Sequence, residues 1–406
     1  MSPLTTAPWT LGLALLLGAT GPARADGPPP QPVPAPAPAP APDAKPAPAP
    51  LLLDRARLMA DVRRLADSDL GARATPKERE QAAQWIADQM AKASLVPPPG
   101  GAELLHVHAF ASVPEGAHVM AYVKGARSDE VVLVVTHFDG RLPPEKELRP
   151  GADAHASGVA ALLETARLLA AGPAPRRSVG FVAFDLSAPA LAGPRSFVAA
   201  PPLDLNRVAA VIAVERVGRS LGDAFSGTTF VHGAETAAGL ESAVAAVAKA
   251  ARTDVRSLRM DLALSRAPDS LPFEERRLPC LLVTGGPSRD DGGADDVVGR
   301  IDVAALAART EILAALVRAV ADAPEMPQWR AAPPPSVDEA RTAATLLDGL
   351  ASREADLHLS EEVRTLRAEV AALLAATVKR GTISLGERAA LRILLVQILE
   401  GLVAPR

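Results

Sequence analysis

The sequence predicts an α/β domain, a mixed and mostly parallel central sheet flanked by helices, with a helical extension at the C-terminus. Three observations predict it. Short apolar runs at 131–135, 179–184, 208–214 and 280–283 alternate with helical patterns at 156–171, 235–252 and 303–321, and strands alternating with helices build a parallel or mixed sheet covered on both faces. The run at 131–135 delivers His137, Phe138 and Asp139 at a strand end, the edge at which open α/β sheets place their ligands. After the Pro-rich break PEMPQWRAAPPPS only helical patterns remain, at 337–351, 360–378 and 385–403.

Taken in order, residues 1–25 read as a secretory signal. The apolar run 11–19 is too short to span a bilayer, and Ala23, Arg24 and Ala25 form a small-x-small cleavage site, although no Lys or Arg precedes the run. The protein is therefore expected to be exported, periplasmic or secreted, with no membrane span in its mature form. Residues 26–50 form a Pro/Ala linker whose alternating tract suits polyproline II, a spacer of roughly 70 Å at about 3.1 Å per residue.

The main domain is expected at 51–325. A helix over 76–94 has Thr75 as its N-cap and Glu78 three residues on, a capping box, with Ala82, Ile86 and Met90 at helical spacing. Strands at 118–123 and 131–135 follow, joined by a turn at 125–129. After the alternating elements above, residues 326–336 form a second linker. Residues 337–406 then read as a helical hairpin or small bundle in which Leu366, Val370, Leu373 and Leu374 mark a buried stripe.

Composition fits a globular protein: 48% hydrophobic and 22% charged residues in a chain of 406. A formal net charge of −4 leaves no basic footprint, so nucleic acid is not an expected partner. Aromatics are scarce, with Tyr122 the sole tyrosine, so the core must be built from Leu, Val, Ala and Ile. The single cysteine, Cys280, lies in the apolar segment LPCLLV and is expected in the core; being single, it rules out an intrachain disulfide.

His137-Phe138-Asp139 at the strand end, GADAHASG at 151–158, FDLSAPALAGPRSF at 184–197, AVERVG at 213–218 and PDSLPF at 268–273 together resemble the di-zinc aminopeptidase family, which includes bacterial leucyl aminopeptidases and, more distantly, glutamate carboxypeptidases and glutaminyl cyclases. The resemblance covers roughly residues 55–325 and implies a zinc-aminopeptidase-like fold. Its His-x-Asp motif falls on His137 and Asp139. In Gly-Ala-Asp-Asp-Asn-Ala-Ser-Gly the second Asp bridges two zinc ions; here the octet from Gly151 to Gly158 puts Ala154 there. The Glu-Glu pair, general base and ligand, falls on Ser187 and Ala188. Asn-x-Asp-Met-x-Gly becomes AVERVG, so Glu215 replaces the ligating Asp. Ser-Asp-His-x-Pro-Phe becomes PDSLPF, with Ser270 in place of the last zinc His.

The resemblance thus leaves His137 and Glu215 as residual metal ligands and Asp139 as the carboxylate that would orient His137. The ligand positions at Ala154, Ala188 and Ser270 are lost, and so is the base at Ser187. Two ligands fall short of the three or four zinc generally takes, so no cofactor is expected; zinc is the alternative. His155 sits beside the lost bridging position and is expected to be a partly exposed helix N-terminal residue that caps or lines the cleft, because neighbours at a helix start point about 100° apart.

Four readings follow. The first is an exported peptidase-like protein that has lost hydrolysis and binds a peptide or protein ligand. The second is a metallo-aminopeptidase with a rearranged site, built from His137, Asp139, Glu215 and either His155 or Asp153. In the third, the fold is a scaffold and the C-terminal helices mediate assembly. A serine hydrolase using Ser187, Ser157 or Ser270 with His137 as base is the fourth.

Overall fold

Among the described residues eight strands form one sheet in the order β1-β2-β4-β3-β5-β8-β6-β7. They are β1 Leu105–Phe110, β2 Val113–Val123, β3 Arg127–His137, β4 Arg177–Phe184, β5 Val208–Glu215, β6 Thr228–His232, β7 Asp254–Ser257 and β8 Cys280–Thr284. The pairs β4/β3, β3/β5, β5/β8 and β6/β7 are parallel, and β1/β2, β2/β4 and β8/β6 are antiparallel. The computed structural model describes residues 52–67, 70, 73–99, 101–110, 113–140, 149–187, 190–257, 267–331 and 337–403. The signal and Pro/Ala linker expected at 1–50 lie outside these.

The turn expected at 125–129 does not close a hairpin, because β4 lies between β2 and β3. The chain instead crosses the start of β4. A Cβ on Gly125 would come within 2.3 Å of the Arg177 carbonyl carbon, and Arg127 N donates to Arg176 O at 2.7 Å. Only glycine allows so close an approach of two backbones.

Central strands are buried on both faces, which accounts for their unbroken apolar runs. On one face Val132, Val134, Phe181, Ile212, Val214 and Leu281 pack under the long helices. These are α1 Arg55–Ala66, α2 Pro76–Lys92, α3 Gly158–Ala171, α5 Ala238–Ala250 and α6 Val303–Asp322, with α4 Ala192–Ala199 between β4 and β5 in the chain. On the other face Val131, Leu133, Val135, Val182, Phe184, Val211 and Cys280 pack with Phe197 and Phe273. Cys280 is buried, and burial pushes its thiol well above its ordinary pKa.

The helix α2 begins as its capping box requires: Thr75 Oγ1 accepts from Glu78 N at 3.3 Å, and Glu78 Oε2 accepts from Thr75 N at 3.0 Å. Helix α3 is preceded by a π-helical turn over Ala152–Ser157, wider than an α-turn and common at functional sites.

Helices α7 Val337–Ser352, α8 Glu361–Arg380 and α9 Leu385–Val403 follow. They share a core with Leu221, Ala224 and Phe230 of the sheet region, into which Val370, Leu374, Ile398 and Leu402 are buried. Leu373, expected in the same stripe, is 52% exposed. It sits at a helix turn where its neighbour Leu374 takes the inward position. Residues Pro48–Arg406 form one unit. Among the described residues no helix is long and apolar enough to cross a membrane.

Candidate metal centre

His137 closes β3 and Glu215 closes β5. The register pairing Val135 with Ala213 brings these two level at the carboxyl edge of the sheet two residues later. Asp269 reaches the same point from the segment before the helical turn Leu271–Glu274. One ligand atom from each of His137, Glu215 and Asp269 lies within 4.8 Å of the other two. All three residues are buried.

These groups already satisfy one another. His137 Nδ1 is 2.8 Å from Asp269 Oδ2, and His137 Nε2 is 3.0 Å from His155 Nδ1. Ser187 Oγ donates to the other oxygen, Asp269 Oδ1. Asp269 N donates to Glu215 Oε1 at 2.9 Å, and Arg216 Nη1 donates to Glu215 Oε2 at 3.0 Å. Arg216 Nε continues to Asp291 Oδ1 at 2.8 Å.

Burial alone would hold the His137 imidazole neutral. Asp269, by charge and hydrogen bond, with Glu215 and Asp139 behind it, outweighs that and pushes its pKa up to about 9. At neutral pH both ring nitrogens then carry protons. For Glu215, burial raises the pKa and Asp269 raises it further, against the pull of His137 and Arg216.

The sequence-derived positions fall as follows. His137 and Glu215 converge. Asp139 is buried beside them, but the carboxylate on His137 Nδ1 is Asp269, and Asp139 Oδ1 accepts from Ser187 N at 2.9 Å. The reason lies in the ladder: Phe138 N still pairs with Phe184 O, which holds Asp139 against the loop leaving β4. His155 is brought onto His137 by the π-helical turn and is only 8% exposed. Ala154 is buried, its N donating to Asp296 Oδ2 at 3.0 Å. Ser270 is buried at the start of the short helical turn, its carbonyl accepting from Phe273 N at 3.0 Å. Ala188 lies outside the described residues.

Asp269 and Arg216 were missed. Both stand inside motifs the resemblance had aligned, Asp269 beside Ser270 and Arg216 at the family's Met. Neither stands at a position where the family's pattern carries a ligand, so no motif marks it.

One His and two carboxylates are the right donor types for a single divalent ion. A pair of ions has no bridging carboxylate, since Ala154 stands there, and the guanidinium of Arg216 already holds the far oxygen of Glu215. The residues therefore fit one ion and not two. Nor do they form a serine triad: the order along the hydrogen bonds is Ser187–Asp269–His137, whereas a nucleophilic serine must face the imidazole itself.

The sequence pattern of peptidase family M28 matches residues 118–317. Among curated protein sequences none matches the chain. Solved structures of similar fold include the LapA aminopeptidase of Legionella pneumophila, 15% identical, covering 67% of this chain and 73% of that one, with a TM-score of 0.55. The zinc aminopeptidase BSAP of Bacillus subtilis is 14% identical, with coverage of 68% and 99% and a TM-score of 0.53. The glutaminyl cyclase of Porphyromonas gingivalis is 17% identical, with coverage of 66% and 98% and a TM-score of 0.52. At these identities the likeness is one of fold, and it agrees with the aminopeptidase-like sheet and helices described above. Together with the motifs carried by β3, α3, β4 and β5, it makes residues 118–317 a domain similar to peptidase family M28.

Proposed function

We propose that this is an exported M28-fold protein that acts by binding a peptide or protein segment and does not hydrolyse it. One observation carries the reading: at the family's general-base position the Ser187 hydroxyl donates to Asp269, which in turn holds His137. A hydroxyl so placed cannot accept a proton from an attacking water at neutral pH, and neither Asp269 oxygen is left free of a hydrogen-bond donor. Positioned general bases contribute roughly 10²–10⁴-fold, and here the bridging carboxylate at 154 and the imidazole at 270 are absent as well.

The cluster His137, Glu215 and Asp269 favours a second reading, a metallo-aminopeptidase with a rearranged site. An ion held there would acidify a bound water. The chain's own part would be to give up the bonds of His137 to Asp269 and His155, and to find a base other than residue 187.

The test is release of N-terminal residues from aminoacyl nitroanilides and short peptides, with and without added zinc. We expect none above the uncatalysed rate. A chelator-sensitive turnover, lost in His137→Ala, would overturn the proposal in favour of the second reading.

A further inference from the structure

Buried carboxylates crowd the carboxyl edge of the sheet. Glu215 is 3%, Asp153 0% and Asp296 0% exposed, and Asp291 closes the same region from the loop after β8. Burying such groups together costs several kcal/mol per ion unless a cation lies among them. In a di-zinc peptidase the two ions meet that need; here the bridging position is alanine.

Arg216 lies where a cation is required. Its side chain is buried, and it spans Glu215 Oε2 at 3.0 Å and Asp291 Oδ1 at 2.8 Å. Its backbone is held at φ 51, a conformation disfavoured for a residue with a Cβ, so the chain accepts local strain to aim this side chain inward. The loop it grips lies over the vacated ligand: a Cβ on Gly292, next to Asp291, would rest 3.9 Å from Ala154 Cβ. Asp296, from the same loop, accepts from Asp153 N and Ala154 N.

We infer that Arg216 serves as a built-in cation on the far oxygen of Glu215, a guanidinium that neutralises Glu215 and Asp291 and pins the Ser288–Asp296 loop over Ala154. The inference deepens the non-hydrolytic reading and rests on it. Arginine suits the role because it stays charged when buried and its planar fork can bind two carboxylates at once. Arg219, three residues on, pairs with Asp290 and Asp223, but it touches neither Glu215 nor Asp291 in the bonds above.

Thermal melts of the full chain, in chelator and in excess zinc, test this. In chelator Arg216→Met should lower Tm by roughly 5 °C, the scale expected for breaking a buried ion pair in a chain of this size. Zinc should then restore most of that loss while moving the parent far less, because only in the variant is Glu215 free of the guanidinium and open to an ion shared with His137 and Asp269. The double variant Glu215→Gln with Arg216→Met should recover stability without zinc. If Arg216→Met fails to fold, Arg216→Lys should fold and stay insensitive to zinc, since the charge is kept. A chelator Tm for Arg216→Met equal to that of the parent overturns the inference, as does a zinc shift as large in the parent as in the variant. The peptidase assay is run on the same samples. An inactive parent with an indifferent Arg216→Met removes the inference alone, whereas an active parent removes the reading beneath it.

Discussion

Asp153 gives the residue scale its clearest test. Its Oδ1 accepts from Gly218 N at 2.7 Å, Arg219 N at 3.1 Å and Ser157 Oγ at 3.0 Å, while Oδ2 is buried without a partner. Burial, with Asp296 and Asp291 adding like charge, pushes its carboxyl from 3.8 up to about 7. A raised carboxyl pKa means that the folded protein keeps a proton the unfolded chain releases. The associated stability is therefore complete below the unfolded pKa and is lost as pH rises through the folded one. Asp153→Asn retains the Oδ1 acceptor and cannot titrate. Between pH 4 and 7 the parent should lose stability relative to this variant by at most about 1.4 kcal/mol per pH unit. Urea melts of both proteins at several pH values across that window check it, and parallel curves would mean that Asp153 is ionised throughout.

At the scale of elements, local chemistry and packing divide the work. Helix α2 starts at Pro76 because Thr75 and Glu78 satisfy each other's backbone amides, an arrangement visible in four residues of sequence. Thr75→Ala should cost about 1 kcal/mol, read as a shift in the urea midpoint with an unchanged slope; no shift would show that Glu78 alone suffices, since its carboxylate also accepts from Ala74 N. Helix α3 is different. It begins against the sheet, where a Cβ on Gly158 would meet Thr136 Oγ1 at 2.6 Å and Val214 O at 2.7 Å. That closeness, with the π-helical turn before it, sets where His155 ends up. Neither follows from the apolar periodicity of residues 159–169.

For the whole molecule, the C-terminal helices share a core with the sheet region. Leu402 is fully buried, pressed against Gly222, whose φ of +53 and missing Cβ leave room for it. Arg289 ties the loop after β8 to the helices through Leu402 O at 3.1 Å and Leu357 O at 2.6 Å. Leu402→Ala should cost roughly 2–5 kcal/mol and lower the melting of the sheet region along with that of the helices. Calorimetry should show one transition for both. Two resolved peaks, with only one moved by the substitution, would mean that the helices fold independently.

The sequence by itself determined the α/β class, the strands carrying His137, Phe184 and Glu215, the cap of α2 and the three final helices, because each is written in short-range periodicity or a four-residue signal. Motif order also put His137 and Glu215 at strand ends, and the structure brings these two together. Strands β1, β6 and β7 and helices α1 and α4 went unread: they are short or edge elements whose patterns acquire meaning only against a neighbour. The tertiary structure alone decided that β4 enters between β2 and β3, that Asp269 takes His137 while Asp139 takes the Ser187 amide, and that Arg216 lies among the buried acids. These are matters of register and of charge brought together across 48 to 132 residues of chain, and a hydrogen bond between distant residues leaves no period in the sequence to read.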